Sequence, residues 1–128
     1  MSQSEKLMEL LKELKERHPE AKACMMARRG LEGLIMFPES FKEEVSTLWD
    51  PISKNLDDML TVVAEYSGIG LNRLYSEILG FGVFFLPLTG SDTALIVFVT
   101  GADPLKESAN LLDDMAATRD KALLMCSE

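Results

Sequence analysis

The sequence predicts one α/β domain with the element order α-β-β-α-β-β-β-α. Three observations predict it. Apolar residues recur at helical spacing near the start, in the middle and at the end of the chain. Short apolar runs lie between those segments. Glycine or proline stands at most of the junctions. At 128 residues, 47 % hydrophobic and 27 % charged, residues 1–128 suit a single domain that buries a core without disulfides or metals.

Leu7, Leu10, Leu11 and Leu14 fall at i, i+3, i+4 and i+7 and mark a helix over residues 2–18. Ser2 with Glu5 is a capping-box pattern at its start. Lys15, Arg17 and His18 crowd the last turn, where the helix dipole favours cations, and Pro19 stops it. Residues 21–28 (AKACMMAR) and 31–37 (LEGLIMF) are apolar runs around Arg29-Gly30. They read as a β-hairpin, because glycine takes the positive φ that tight turns need. Past Pro38-Glu39, Ser40 with Glu43 repeats the capping pattern.

Residues 41–66 read as helical through Val45, Leu48, Trp49, Ile52, Leu56, Met59, Leu60 and Val63. Pro51 interrupts them, since an interior proline loses a hydrogen bond and clashes with the preceding turn. Asp50-Pro51 is also a good N-cap and N1 pair. The expectation is a short helix followed by a longer one, or one helix kinked at this point. Residues 71–79 read as a half-exposed strand, with Gly80 and Gly82 bracketing a turn. Residues 83–88 are almost wholly apolar, as in a buried central strand. Gly90-Ser91-Asp92 reads as a hairpin loop, and residues 94–100 (ALIVFVT) carry the strongest strand pattern. Asp103-Pro104 again pairs an N-cap with N1. It opens a helix to about residue 125, with Leu105, Ala109, Leu112, Met115, Ala116, Arg119 and Leu123 as its buried stripe.

Thirteen Lys and Arg against 21 Asp and Glu leave a net charge of −8. That balance disfavours nucleic acid and anionic membranes, which need a cationic footprint. The pair Arg28-Arg29 reads as a solvated turn. The N-terminus has neither the basic nor the apolar part of a signal peptide. The longest apolar run, residues 81–88, is too short to span a bilayer, so no direct membrane insertion is expected. Cys24 and Cys126 are unclustered thiols that suit a reducing compartment, and a cytoplasmic location follows. With one histidine they make no zinc pattern, and no cofactor is expected.

Catalysis has little to work with. His18 reads as a partner of the helix dipole and Cys24 as a small core hydrophobe. The pairs Glu43-Glu44, Asp57-Asp58 and Asp113-Asp114 are i, i+1 neighbours on different helix faces and read as solvated charges. Gly80-Phe81-Gly82 and Gly68-Ile69-Gly70 lack the third glycine of a phosphate-binding loop. A binding protein, not an enzyme, is the expectation.

The helices and strands supply more apolar surface than one small sheet is expected to bury. Ile52, Leu56, Met59, Leu60, Val63 and Tyr66 make a wide stripe on the central helix. If residues 71–79 form an edge strand, their unpaired backbone groups invite another chain. Edge pairing about a two-fold axis then gives a closed dimer. The competing reading is a monomer whose edge is blunted by Asn72, Arg73 and Glu77.

The element order resembles the roadblock / dynein light chain family over nearly the whole chain. The resemblance rests on the hairpin AKACMMARRGLEGLIMF with Gly30 at its turn, the helix ending in SGIGLNRLYSEILG, the strands FGVFFLPL and TALIVFVT, and the closing helix opened by ADPL. The chain departs from the family pattern at Arg29-Gly30, where an acidic turn is usual, and at Pro51. The resemblance implies a roadblock-like (profilin-like) layered fold, with a central five-stranded, mainly antiparallel sheet and helices on both faces. It implies a homodimer joined through Ile52, Leu56, Met59, Val63, Leu71, Arg73, Leu74, Tyr75, Glu77 and Ile78. It implies a non-catalytic regulator or scaffold of a small Ras-like GTPase, one that stimulates its partner's hydrolysis or holds another roadblock protein. Lys54, Asp57, Asp58 and Thr61 would face that partner. A small-molecule-sensing module of profilin or PAS type, and a structural subunit of a larger signalling or motor complex, are the alternatives.

Overall fold

The leucine stripe of the first segment becomes α1 (Gln3–Arg17), with Leu7, Leu10, Leu11 and Leu14 buried on one face. Ser2 Oγ caps it by accepting from the Glu5 amide at 3.2 Å, which satisfies one of the donors a helix start leaves free. The computed structural model of the chain describes residues 2–88, 92–101 and 103–126, without the side chains of residues 67, 107 and 126. After α1 come β1 (Ala21–Ala27), β2 (Ile35–Phe37), α2 (Phe41–Glu44), α3 (Trp49–Tyr66), β3 (Leu74–Ile78), β4 (Phe81–Pro87), β5 (Ala94–Val99), α4 (Pro104–Glu107) and α5 (Ala109–Cys126). The strands form one sheet in the order β2-β1-β5-β4-β3. Every neighbouring pair is antiparallel.

β5 lies at the centre, and every one of its residues is buried. A strand covered on both faces reads as a continuous apolar run, as ALIVFV does. Leu95, Val97 and Val99 point to a core closed by α1 and α5. Ala94, Ile96 and Phe98 point to a second core closed by α2 and α3. Phe41 of α2 packs edge-on against Phe81 at 5.8 Å between ring centroids and lies 5.1 Å from Phe98. No helix among the described residues is long and apolar enough to cross a membrane.

Several local expectations change. The β1–β2 connection is no tight hairpin. Residues 28–34 form a loop with a 3-10 turn at Arg29–Leu31, and β2 keeps only Ile35–Phe37. Ser40 makes no side-chain cap. Two helices do form, α2 and α3, but the break falls before Pro51, at residues 45–48, where a 3-10 turn (Ser46–Leu48) joins them. α3 starts at Trp49, so Asp50 is inside it rather than its N-cap, and Pro51 sits in the first turn, where the amide it lacks would have no acceptor within α3. The last helix is broken at buried Ser108 into α4 and α5. Asp103 does cap α4, accepting from the Lys106 amide at 3.3 Å. Of the expected loop Gly90-Ser91-Asp92, the first two residues lie outside the described residues.

Gly82 belongs to β4, not to a turn. A Cβ there would stand 2.6 Å from Tyr75 Oη and 2.8 Å from Pro104 Cβ, so the absent side chain lets both pack onto the strand. The β3–β4 turn is Leu79-Gly80, since Ile78 pairs with Phe81. Both turn residues have positive φ, 53° and 86°, the mark of a type I′ turn. Glycine suits that backbone. Leu79 is strained there and still leaves 48 % of its surface exposed.

Asp114 is not the solvated charge expected of it. Arg17 Nε donates to its Oδ2 at 2.6 Å and the second Arg17 nitrogen to Oδ1 at 3.0 Å. His18 Nε2 lies 2.7 Å from the same Oδ2, and His18 Nδ1 lies 3.5 Å from Glu20 Oε1. This cluster fastens the C-terminal end of α1 to α5. The hydrogen bond from Arg17 outweighs burial and, with the bond from His18, holds the Asp114 carboxyl below the usual carboxylate range.

Two tests follow from these contacts. A depressed carboxyl contributes stability that is complete above its ordinary value and lost as pH falls through the lowered one. Asp114→Asn should therefore lower the urea midpoint at pH 7 by the equivalent of about 1 kcal/mol. The gap from the native protein should close as pH falls below about 4; a gap constant with pH would assign the loss to packing. Leu79→Asn should raise the melting temperature by roughly 2–4 °C, because asparagine tolerates the left-handed backbone. A lower melting temperature would mean that the leucine side chain contributes more contact than its backbone costs.

Candidate protein-binding surface

The stripe of α3 finds its partners inside the chain. Ile52, Leu56, Leu60 and Val63 are fully buried against the sheet. Exposing such side chains would forfeit roughly 1.5–3 kcal/mol each. Ile52, Leu56 and Val63 are therefore unavailable to a second copy, which corrects their assignment to a dimer interface. The surplus of apolar surface expected from the sequence disappears because the sheet takes helices on both faces. Met59 is half-buried and packs on the same core, as do Leu71, Leu74 and Ile78.

β3 is an outer strand, hydrogen-bonded to β4 alone among the described strands. Its residues alternate between the faces. Leu74 and Ile78 lean toward α3, and Ser76 Oγ donates to Asn55 Oδ1 on that helix at 3.3 Å. Tyr75 lies on the other face, its ring 4.8 Å from that of Phe84. Its hydroxyl donates to Glu77 Oε1 at 2.9 Å. Burial, that hydrogen bond and the negative charge of Glu77 push the phenol up to about 12, so it stays a neutral donor. Arg73 and Glu77 are exposed beside the free edge.

Two apolar side chains stand at the corner where α3 leads into β3. Tyr66 is 47 % exposed and Ile69 80 % exposed. Tyr66 belonged to the stripe expected on α3, and Ile69 was read only as part of a glycine loop. The signal for Ile69 lies in its neighbours: a β-branched apolar residue between Gly68 and Gly70 has no strand or helix face to join. Together with half-buried Leu71 and exposed Arg73, these residues line the approach to the β3 edge.

The four residues expected to face a partner divide. Lys54 and Asp58 are exposed and bound to each other, with Lys54 Nζ 2.5 Å from Asp58 Oδ1. Asp57 is half-buried. Its Oδ1 accepts from the Gly30 amide at 2.8 Å and so ties the β1–β2 loop to α3. Thr61 Oγ1 donates back to the Asp57 carbonyl at 2.9 Å, a bond within the helix. Asp57 and Thr61 are both half-buried, and each makes a hydrogen bond within the chain as well as leaving part of its surface exposed.

The chemistry of the chain is correspondingly quiet. Cys24 is buried, and burial pushes its thiol up to about 12, far from a reactive thiolate. No cluster of three metal-ligating side chains occurs among the described residues.

No family model matches the chain, and no curated protein sequence matches it either. Solved structures do. MglC from Myxococcus xanthus, a roadblock-domain protein, superposes with a TM-score of 0.61 at 16 % identity, over 91 % of this chain and 95 % of that one. A chain of the LokiProfilin2/rabbit actin complex superposes with a TM-score of 0.60 at 17 % identity, over 96 % and 98 % respectively. At such identities the likeness is one of fold. The chain has the mixed α/β, roadblock-like and profilin-like fold, with a five-stranded antiparallel sheet and helices on both faces.

Proposed function

We propose that this domain is a non-catalytic interaction module that dimerises through β3 and regulates or scaffolds a small Ras-like GTPase in the cytoplasm. The observation that carries the reading is the open edge of β3, flanked by exposed Tyr66 and Ile69, on a fold shared with MglC. An unpaired edge supplies backbone hydrogen bonds to a second copy, and the apolar corner supplies area. The inert Cys24 thiol and the outward Lys54–Asp58 pair suit recognition rather than chemistry. The dimer face is redrawn accordingly: Tyr66, Ile69, Leu71, Arg73 and the edge of β3, with Leu74, Tyr75, Glu77 and Ile78 on it and Met59 behind.

The equal likeness to a chain of the LokiProfilin2/rabbit actin complex favours a second reading. On that view the domain is profilin-like and binds an actin-like protein.

One set of measurements separates the two. Light scattering should give a dimer for the native chain and a monomer for the double variant Tyr66→Glu, Ile69→Lys, whose exposed positions leave the core intact. The native chain should bind, or alter hydrolysis by, a Ras-like GTPase from the same cell, and the double variant should lose at least about tenfold in affinity. A native monomer that leaves every such GTPase unchanged would overturn the first reading. Slowed assembly of pyrene-labelled actin in that case would establish the second.

A further inference from the structure

The sheet has a second free edge, on the side away from β3. β2 (Ile35–Phe37) hydrogen-bonds to β1 and to no other strand among those described. Natural edges are usually blunted by a charge, a proline or a bulge. Ile35-Met36-Phe37 carries no charge, proline or bulge within it; the strand is short and Pro38 ends it, so only these three residues offer pairing. Its register with β1 is regular, Met26 with Ile35, Met25 with Met36 and Cys24 with Phe37. Beside it runs a groove of about 610 Å³, floored by Met8 of α1 and by Leu34, Ile35 and Met36. Met8, Leu34 and Ile35 are each half-buried, so each presents apolar surface to it. Gly33 turns there with φ 64°, and its missing side chain keeps the entrance clear.

The rim decides what the groove can take. Glu5 and Glu39 line it, and neither is paired with a cation among the described residues. Lys42 also lines it, but its ammonium sits over the Trp49 ring, 5.2 Å from the centroid. A second copy would set one Glu5–Glu39 rim against another, in a chain that already carries a net charge of −8. Like charges across an interface are a penalty. A basic segment meets no such penalty.

We propose that this groove binds an extended peptide segment of a partner protein, apolar at its centre and flanked by Lys or Arg, which adds to the sheet as a strand beside β2. Backbone pairing along β2 supplies part of the affinity, and the apolar floor accepts alternate side chains. The two carboxylates read the flanking charges. This surface is independent of the β3 edge and of the GTPase reading.

The test uses the full chain and two labelled peptides, Lys-Val-Thr-Val-Ile-Lys and its counterpart with glutamate at both ends. By fluorescence anisotropy the basic-ended peptide should bind, and the acidic-ended one should bind roughly five- to tenfold more weakly. Titration with the basic-ended peptide should shift the backbone amide resonances of residues 34–37. The double variant Glu5→Lys, Glu39→Lys changes only exposed positions. Glu5 also stands in the first turn of α1 and accepts from Ser2 Oγ at 3.2 Å. The variant should therefore melt a few degrees below the native chain, remain folded at room temperature and reverse the preference between the peptides. Three results would overturn the proposal: saturation that moves no amide of residues 34–37, a preference that survives the charge swap, or light scattering in which Ile35→Lys turns a native dimer into a monomer. The last would give the edge to a second copy of the chain.

Discussion

β5 pairs with β1 along one side and with β4 along the other, and all its residues are buried. A strand in that position must be apolar on both faces, and each face must then be closed by something else. α1 and α5 close one face, and α2 and α3 close the other. The remaining features serve that arrangement. The contact of Arg17 and His18 with Asp114 fixes α1 to α5. The bond from the Gly30 amide to Asp57 fixes the β1–β2 loop to α3. Gly82 lets Tyr75 and Pro104 lie directly on the sheet.

Sandwiching the sheet has a consequence for binding. Once helices cover both faces, the sheet itself can meet another chain only at its two strand edges. β3 and β2 are those edges, and they differ. Exposed Glu77 stands on β3 and exposed Arg73 just before it, with Tyr66 and Ile69 at its approach. β2 is short and uncharged and lies beside an apolar groove with an acidic rim. A small domain with two dissimilar edges can hold two different partners at once without moving its core.

Much of the fold could be read along the chain, because local periodicity and capping chemistry act over a few residues. The leucine stripe of α1, the continuous run of β5 and the Asp103 cap before Pro104 all appear where their patterns place them. The errors came where contacts between distant segments decide. The wide stripe on α3 looked like an interface because the sequence does not show which face of the sheet lies beneath it. The bond from the Gly30 amide to Asp57 was not legible because the two residues are far apart in the chain. Asp114 looked solvated for the same reason.

By itself, then, the sequence determined the class of fold and the order of its strands and helical segments. Each of these follows from residue type and spacing alone. Only the tertiary structure decided which apolar residues are spent on the core and which remain for a partner. That division depends on strand order, β2-β1-β5-β4-β3, and hydrophobic spacing along one segment carries no record of its neighbours in the sheet. It took the inner face of α3 out of the candidate surface, left the β3 edge already expected, and added the exposed corner at Tyr66 and Ile69.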